Sequence, residues 1–446
     1  MTIRFFLDTI ANLTEGVSAG MSNFLINGMD DARKRTLCLI DGLSPEQLIG
    51  PTLSSINPLR WEIGHAAYFY EFWILRSHLG NAPILEKVDD LYDSINIAHD
   101  ERWKLPLPEM EATLAYMKEV HDRIKRNLKK NISDPKRDYL LEYSIYHEDM
   151  HTEAYTYTRQ TLGYPTPAMG QYVPNLMRGT EVGDVSIPGG TFMLGAFEDS
   201  GFVFDNEKWA HEREVKSFSI SKSAVSNYEY ISFVEDGGYE NKTFWDDEGL
   251  KWLKESKLHS PCYWRASSVG WEMRHFDQWR ALEPDAAVIH VNWHEAKAYC
   301  NWKNRRLPTE LEWEVAASGK FNEQGGLSLE KNFYPWGSSE INKDLANLDG
   351  CALGTIAVGA LPDGDSEFGC RQMIGNVWEW TEDTFHPYPG FESDMYEDYS
   401  KPLFGNTKVL RGGSWVTRGR MIRNTWRTFQ RPERNDVFSG FRTCPI

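Results

Sequence analysis

Long apolar runs, paired cysteines and an excess of basic residues are all missing from this sequence. No apolar stretch approaches the roughly 18 residues that a membrane-spanning helix needs, and Asp8 and Asn12 break the first one, which predicts no secretory signal. The six cysteines are irregularly spaced, without a C-x-x-C pair, so they predict no disulfide framework. A net charge of −17 disfavours a broad surface for nucleic acid or anionic membrane. We therefore expect a cytoplasmic protein whose partners include neither nucleic acid nor a membrane.

The composition that is present indicates a globular protein with two unlike parts. The chain of 446 residues favours two or three domains over one. Its apolar fraction of 41% and charged fraction of 25% are ordinary for folded proteins. Glycine and most of the 17 tryptophans lie in the second part, which favours short strands and loops there. We predict an α+β protein with a helical domain at 1–165, a linker at 166–182 and a second domain at 183–446.

Four segments of the first part have the pattern of long helices. The first of them places Leu37, Ile40 and Leu43 on one predicted apolar face. The third has the longest apolar stripe, formed by Leu114, Met117, Val120, Ile124 and Leu128. The four segments span residues 31–43, 58–80, 108–130 and 136–164. Four such helices predict an up-and-down bundle, a fold whose core often carries a metal site.

The second part changes its pattern near residue 184. The stretch "DVSIPGGTFMLGAF" predicts strand, turn and strand. The stretch "HVNWHEAKAYCNWKNRRLPTELEWEVAAS" predicts two helices, and Thr309 followed by Glu312 forms a capping box that opens the second one. Glycine and tryptophan punctuate the remainder, where we expect glycines at unusual backbone angles and tryptophans in the core.

The stretch "YHEDMHTEA" carries the pattern H-E-x-x-H. His147 and His151 are one helical turn apart and can therefore chelate one ion. In zinc proteases the same pattern uses its glutamate, here Glu148, as a general base. His65 lies among apolar residues of a predicted bundle helix and is the candidate third ligand. Three imidazoles suit zinc with one water or iron(II) with several exchangeable positions, and the spacing does not choose between them.

Several motifs of the second part resemble a known domain. They are "PGGTFMLG", "RRLPTELEWEVAA", "YPWG", "GNVWEWTEDTF", "VLRGGSW" and "SGFR". Together they are similar to the formylglycine-generating-enzyme (sulfatase-modifying factor) domain, which has a C-type-lectin-like fold. The first part, with His65 and the H-x-x-x-H pair, resembles the DinB-like bundle of the iron(II)-dependent sulfoxide synthases of ergothioneine and ovothiol biosynthesis. The pairing of the two domains points to those synthases.

The resemblance implies a cofactor, a reaction and a site. By it, His65, His147 and His151 bind Fe(2+), and the active site lies between the two domains. Members of the family use O2 to join a thiol sulfur to the imidazole ring of a histidine-derived substrate, which is hercynine in the ergothioneine branch. The resemblance further implies that Tyr396, in the Y-x-x-Y pattern that Tyr399 completes, is the proton donor of the reaction.

The sequence departs from the ergothioneine pattern at the expected substrate positions. Met150 stands where a glutamine often precedes the second histidine of the pair. Thr428, Phe429 and Gln430 replace an N-W-D triplet, whereas Arg434 still fits the family's arginine. We expect Phe429 or nearby aromatic rings to hold the imidazole, and such rings favour a quaternary ammonium group.

A second departure concerns the donor. The loop "YDSINIAHDERWKLPLP" replaces the arginine-containing loop that binds the donor's carboxylates. This makes the chain most similar to the selenoneine synthase branch, whose selenosugar donor has no amino-acid carboxylate. Asp93, His99, Asp100 and Arg102 offer hydrogen bonds that suit sugar hydroxyls.

Other functions remain open from the sequence. One alternative is a zinc-dependent hydrolase or thiol transferase on the bundle, and another is an ovothiol-type synthase that acts on histidine. A third is a carbohydrate-binding or structural protein in which the metal site is vestigial. Formylglycine generation itself is disfavoured, because it needs two nearby cysteines and the C-terminal stretch offers only Cys444. We expect a monomer or a small homo-oligomer.

Overall fold

The computed structural model describes residues 2–130, 132–169, 179 and 182–446, with side chains from residue 20 onward. The chain divides into two compact units, Met1–Ala168 and Met169–Ile446. Most of the linker predicted at 166–182 lies outside the described residues, and the exact domain boundaries stay a prediction. Among the described helices, none is both long and apolar enough to cross a membrane.

In the described part of the first unit, four long helices and two short ones form a bundle. The first long helix packs against the last, and the second packs against the third and the last. This arrangement confirms the helical bundle that the sequence predicts. The helices are α1 (Thr2–Ile40), α2 (Pro45–Ile49), α3 (Leu59–Tyr70), α4 (Asp89–Tyr92), α5 (Met110–Leu128) and α6 (Pro135–Leu162).

The buried face of α1 differs from the predicted one. Leu37 is 37% exposed and Leu43 lies beyond the end of the helix, so the predicted stripe of Leu37, Ile40 and Leu43 is wrong. Three-residue steps drift around a helix that needs 3.6 residues per turn. The fully buried face consists of Leu25, Met29, Ala32, Thr36 and Leu39, which alternate steps of three and four. The stripe predicted for α5 is confirmed from Met117 to Leu128.

Residues at both ends of α6, the helix that carries His147 and His151, explain where it begins and ends. The Asp134 side chain accepts a hydrogen bond from the Arg137 amide at 3.0 Å, and Pro135 occupies the first turn, where its missing N–H costs nothing. Gly163 ends the helix in the left-handed conformation at φ 65°, which glycine adopts without strain. Both signals are local, which is why the sequence predicts this helix closely.

The helix after α3 widens into a π-helix at Glu71–His78. The sequence predicts one regular helix over 58–80, so this widening is a correction. Its signature is the hydrogen bond from the Leu79 amide to the carbonyl of Ile74, five residues earlier, at 3.0 Å. The buried Glu71 carboxylate accepts from the Ile84 amide at 2.6 Å and from the Tyr116 hydroxyl. These hydrogen bonds to residues outside the helix stabilise the π-helical backbone, which local propensity does not favour.

The second unit combines short helices with many short strands. Thr309 and Glu312 form the predicted capping box at the start of its last helix. The helices are α7 (Asn227–Glu235), α8 (Asp247–Ser256), α9 (Trp293–Lys303) and α10 (Glu310–Ser318). The strands are β1 (Asp184–Ile187), β2 (Gly190–Leu194), β3 (His211–Val215), β4 (Phe218–Ser221), β5 (Trp264–Ser267), β6 (Gly270–His275), β7 (Gln278–Ala281), β8 (Arg305–Arg306), β9 (Gly319–Phe321), β10 (Leu327–Lys331), β11 (Trp378–Thr384), β12 (Lys408–Arg411), β13 (Arg427–Gln430), β14 (Ser439–Gly440) and β15 (Cys444–Pro445).

The described strands form one four-stranded sheet and several smaller ones. The largest sheet has the order β13-β12-β11-β14, in which only the β11–β14 pair is parallel. Strands β5, β6 and β7 form an antiparallel meander, and the other pairs are β1–β4, β2–β3, β8–β15 and β9–β10. The predicted strands β1 and β2 are therefore present but pair with different partners. Trp313, Trp380 and Trp415 are fully or almost fully buried, as the sequence predicts for its tryptophan motifs.

Buried ion pairs connect the sequence motifs of the second unit. Arg411 of "VLRGGSW" donates to Glu310 at 2.7 Å and to Glu314 at 2.6 Å, both in "TELEWE". Burial would raise the pKa of the Glu314 carboxyl, but the positive charges of Lys331 and Arg411 hold this pKa at about 2. Gly412 follows Arg411 at φ 92°, and a Cβ there would lie 2.5 Å from the carbonyl oxygen of Met373. These motifs therefore build the fold, as the sequence predicts for them.

Candidate metal centre

Three histidines converge in the core of the first unit. His65 comes from α3, and His147 and His151 come from α6. One ring nitrogen of each lies within 4.8 Å of those of the other two, a spacing from which all three can hold one ion. His147 and His151 bring their Nε2 atoms to 3.3 Å from each other. The predicted ligand set is thus brought together by two helices of the bundle.

The backbone of a neighbouring loop orients His65. Its Nδ1 lies 2.8 Å from the carbonyl oxygen of Tyr92, so Nδ1 carries the hydrogen and Nε2 is left for a metal. Gly64 makes this approach possible, because a Cβ at this position would overlap the ring of Tyr92. Trp61 stacks on the imidazole of His65 with ring centroids 4.9 Å apart and planes 5° from parallel.

The two histidines of α6 have different supports. The Nδ1 of His151 donates to the carboxylate of Glu62 at 2.7 Å, which leaves its Nε2 for a metal. His147 stacks on Phe69, with ring centroids 3.8 Å apart and planes 12° from parallel. Each imidazole therefore has a different support: the Tyr92 carbonyl for His65, the Glu62 carboxylate for His151 and the Phe69 ring for His147.

Burial keeps two of the three imidazoles neutral. It lowers the pKa of His65 to about 3, assisted by the electrostatic effects of His151 and Arg102 and opposed by the hydrogen bond to Tyr92. Burial, followed by His151 and His65, also lowers the pKa of His147 well below its usual value. A metal ligand must be neutral, so these two imidazoles are ready to bind a cation at neutral pH.

The glutamate of the H-E-x-x-H pattern makes other contacts. Glu148 is fully buried and accepts hydrogen bonds from the Thr36 hydroxyl at 2.8 Å and the Tyr70 hydroxyl at 3.0 Å. These bonds join α6 to α1 and α3. A zinc protease needs this carboxylate at the metal-bound water, so the contacts favour a structural role for Glu148 and disfavour proteolysis.

The donor set fits a divalent transition metal. Imidazole nitrogen suits zinc, copper, iron and nickel, and three histidines on two helices leave further coordination positions for small molecules. The site is buried, and its surroundings include Trp61, Phe69 and the carboxylate of Glu62. A buried carboxylate beside the imidazoles favours the binding of a cation there.

The proposed donor-binding residues lie on the first unit. The Arg102 guanidinium lies 4.0 Å from the Trp61 ring centroid and donates to Asn57 Oδ1 at 2.7 Å. Asp93 accepts from the Ile95 amide at 3.0 Å and from the Asn96 side chain at 2.7 Å, so it shapes its own loop. Arg102 is therefore connected through Trp61 to the candidate metal ligand His65.

Three further candidates of the first unit were named from the sequence. His99 contacts the carbonyl oxygen of Ile56 at 2.7 Å and the Asp100 carboxylate at 2.9 Å. Met150 is half-buried on α6, directly before His151. The roles of these side chains in substrate binding stay predictions.

The remaining predicted substrate residues belong to the second unit. Tyr399 and Phe429 are in edge-to-face contact, with ring centroids 5.7 Å apart. Gln430 follows on β13 and is half-buried. Arg434 forms a two-pronged ion pair with Asp436, with distances of 2.5 and 2.8 Å. The structure therefore brings Tyr399 and Phe429 together, while Arg434 is held by a neighbouring carboxylate.

Tyr396 lies in a segment whose two ends are held by one buried carboxylate. Asp205 accepts from the Ser400 hydroxyl at 2.6 Å and from the Asp394 amide at 3.4 Å. Lys208 adds an ion pair with Asp394 at 2.6 Å. Tyr396 itself is half-buried between these two anchor points. Asp205 was not singled out from the sequence, where it is one of many acidic residues without a motif.

Glu62 and Tyr92 were also missed in the sequence, for different reasons. Glu62 precedes His65 by three residues and so shares its helix face, a spacing that could have suggested it. Tyr92 acts through its backbone carbonyl, and no residue type marks such a role.

The geometry and the fold define a class: a DinB-type helical unit with a three-histidine centre, combined with a sulfatase-modifying-factor unit. Residues 29–154 match the DinB superfamily, and residues 171–445 match the sulfatase-modifying factor enzyme 1-like domain. The chain is 34% identical to a hercynine oxygenase of Mycolicibacterium smegmatis, over 92% of this chain and 96% of the relative. It is also 34% identical to a hercynine oxygenase of Mycobacterium tuberculosis, with the same coverage. The protein is an oxidoreductase that belongs to the hercynine oxygenase family.

The second unit has its own relatives. A formylglycine-generating enzyme of Thermomonospora curvata is 29% identical, over 58% of this chain and 92% of the relative. None of the described cysteines forms a disulfide, and Cys370 and Cys444 are buried. The fold class predicted from the motifs is confirmed for both units.

Proposed function

We propose that this protein is a non-haem iron(II) enzyme that uses O2 to join a sulfur or selenium donor to the imidazole ring of hercynine. The observation that carries the proposal is the convergence of His65, His147 and His151 within 4.8 Å, in a chain related to hercynine oxygenases along its length. His65, His147 and His151 would hold the iron. When bound, iron(II) would supply the redox chemistry that couples O2 to formation of the carbon–chalcogen bond.

Aromatic residues of the second unit support recognition of hercynine. We propose that Phe429 and Tyr399 contact the substrate, whose quaternary ammonium group is attracted by aromatic faces. Gln430 offers an amide to the imidazole, and Arg434 offers its guanidinium to the carboxylate if Asp436 shares it. Tyr396 is our prediction for the residue that donates a proton during the reaction.

The donor is proposed to be a selenosugar, with a cysteine-type thiol as the alternative. Arg102, Asp93 and Met150 are the proposed contacts on the first unit. Support comes from the polar loop around Asp93 and Arg102, whose side chains hydrogen-bond to amide groups in a way that hydroxyls can imitate. A neutral sugar needs no pair of arginines, and this loop supplies only one.

The test is reconstitution under controlled oxygen. The metal-free protein would be loaded anaerobically with iron(II), and then given O2, hercynine and one donor at a time: cysteine, γ-glutamylcysteine or a selenosugar. Mass spectrometry of the adduct identifies the donor and the bond formed. We expect an adduct of hercynine with O2 uptake, largest for the selenosugar. A purified protein that binds zinc and consumes no O2 with any donor would contradict the proposal and favour a hydrolase or transferase.

A further inference from the structure

We infer that Glu62 is a positioning residue for the metal centre: it orients His151 and supplies a buried negative charge that raises the affinity for a divalent cation. The inference rests on the part of the proposed function that places a metal on the three histidines. It concerns a residue that touches the ligand His151 and none of the reacting groups.

The first step is geometric. Glu62 and His65 are three residues apart on α3, so both side chains point from one face of the helix toward α6. Oε1 of Glu62 lies 2.7 Å from Nδ1 of His151, and the glutamate side chain is 2% exposed. This bond selects the tautomer in which Nε2 of His151 faces His65 and His147.

The second step concerns charge. Within the described part of the chain, the imidazole of His151 is the one partner of Glu62 at ion-pair distance, and no lysine or arginine lies that close. Its Oε2 is buried and has no hydrogen-bond partner among the described residues. A buried carboxylate without a cation beside it is destabilising. A metal ion on His151 would bring the missing positive charge close to Glu62.

The third step compares two of the histidines. His65 donates to a neutral carbonyl, whereas His151 donates to the carboxylate of Glu62. A carboxylate acceptor makes the imidazole a stronger donor to a metal, and removing such a partner typically weakens metal binding 10- to 100-fold. Glu62 therefore tunes both the orientation and the basicity of His151.

The experiment compares Glu62→Gln with the natural protein without using turnover. Iron(II) affinity would be measured anaerobically by competition with a chromophoric chelator, and thermal midpoints would be recorded with and without metal. We expect affinity to fall about 10- to 100-fold. We also expect the metal-free midpoint to stay level or rise, because the variant removes a buried charge, and the metal-induced rise to shrink.

Glu148→Gln is the matched control, since Glu148 is an equally buried glutamate next to His147. Its carboxylate serves Thr36 and Tyr70, so we expect a lower metal-free midpoint with metal affinity retained. Glu62→Asp keeps the charge but shortens the side chain, and we expect an affinity between those of Glu62→Gln and the natural protein.

Two results would overturn the inference. If Glu62→Gln binds iron(II) as tightly as the natural protein, Glu62 has no positioning role. If the thermal midpoint of metal-free Glu62→Gln falls as much as that of Glu148→Gln, the role of Glu62 is merely structural. Failure of the proposed reaction is separate: the natural protein would still bind iron(II) tightly while forming no hercynine adduct, and the inference about Glu62 would stand.

Discussion

The ring of Tyr92 occupies the space that a side chain at position 64 would need. A Cβ on Gly64 would overlap Cε1 and Cζ of that ring, and the same Tyr92 presents its carbonyl oxygen to His65. A residue without a side chain therefore controls how the loop meets His65, the candidate metal ligand. This contact explains why a helix former is absent from the middle of a buried helix, at a cost of about 1 kcal/mol in helix propensity.

We expect Gly64→Ala to destabilise the fold and weaken metal binding. Overpacking costs about 1–3 kcal/mol, which outweighs the propensity gain and moves the Tyr92 carbonyl away from His65. Urea unfolding and iron(II) titration measure the two effects. Tyr92→Leu should relieve the clash in the double variant, whereas Tyr92→Phe should not, because Cε1 and Cζ remain. A Gly64→Ala protein that is more stable than the natural one would contradict the packing argument.

His121 predicts a pH dependence of stability. It is fully buried on α5, and neither ring nitrogen has a hydrogen-bond partner among the described residues. Burial, followed by Arg33 and Lys125, lowers its pKa to about 3. The folded protein then binds no proton at His121 where the unfolded chain does, below about pH 6.5. The stability contributed by the neutral imidazole is therefore lost as pH falls.

We expect His121→Leu to remove that loss. Between pH 6.5 and pH 5 the natural protein should lose about 2 kcal/mol more unfolding free energy than the variant, at about 1.4 kcal/mol per pH unit. Denaturant unfolding of the metal-free proteins at several pH values measures the difference. Substituting the exposed His259 with glutamine should leave the slope unchanged, and parallel curves for His121→Leu would contradict the prediction.

The buried Asp205 should make stability depend on pH in the opposite direction. Burial raises the pKa of its carboxyl to about 6, the Ser400 hydroxyl lowers it in part, and the charge of Asp394 raises it further. The folded state then keeps a proton that the unfolded chain has released above about pH 4. The stability of the natural protein should therefore fall as pH rises from 4 through 6, by up to about 3 kcal/mol relative to Asp205→Asn. Unfolding curves across that range measure it, with an asparagine at the exposed Asp363 as control.

Tyr396→Phe tests the predicted proton donor. Phenylalanine keeps the ring but cannot give a proton, so we expect the product to shift from the hercynine adduct toward an oxidised donor without adduct. The measured quantity is the ratio of the two products by mass spectrometry, which a general loss of folding would not change. Tyr228→Phe, at an exposed tyrosine of the same unit, is the control. An unchanged ratio in Tyr396→Phe would remove Tyr396 from the role.

The features that the sequence could predict are those set by local spacing. His147 and His151 are one turn apart on any helix, and Asp134 and Gly163 mark the ends of that helix by themselves. The ion-paired motifs around Glu314 and Arg411 carry enough unusual residues in fixed order to identify their domain.

The features that it could not predict depend on contacts distant in the chain. The Tyr92 carbonyl reaches His65 although the two residues are 27 positions apart in the chain, and the acceptor is a backbone atom that every residue has. Asp205 meets Ser400 across 195 positions without any pattern that pairs them. The face of α1 was misplaced because Leu37 fits a helical stripe locally, while packing against α6 buries Thr36 instead.

The π-helix at Glu71–His78 has a consequence for how substitutions there can be read. A regular helix turns about 100° per residue, whereas a π-helix turns less, so each residue beyond Tyr70 points in a direction that ordinary helical counting misassigns. Deleting one residue from this stretch would let the backbone relax toward a regular helix while holding Arg76 and His78 near their present bearings. Deleting one from α3 would instead swing His65 by a quarter turn or more. The continuous helix formed by α3 and the π-helix should therefore tolerate a one-residue deletion from Glu71 onward but not before it.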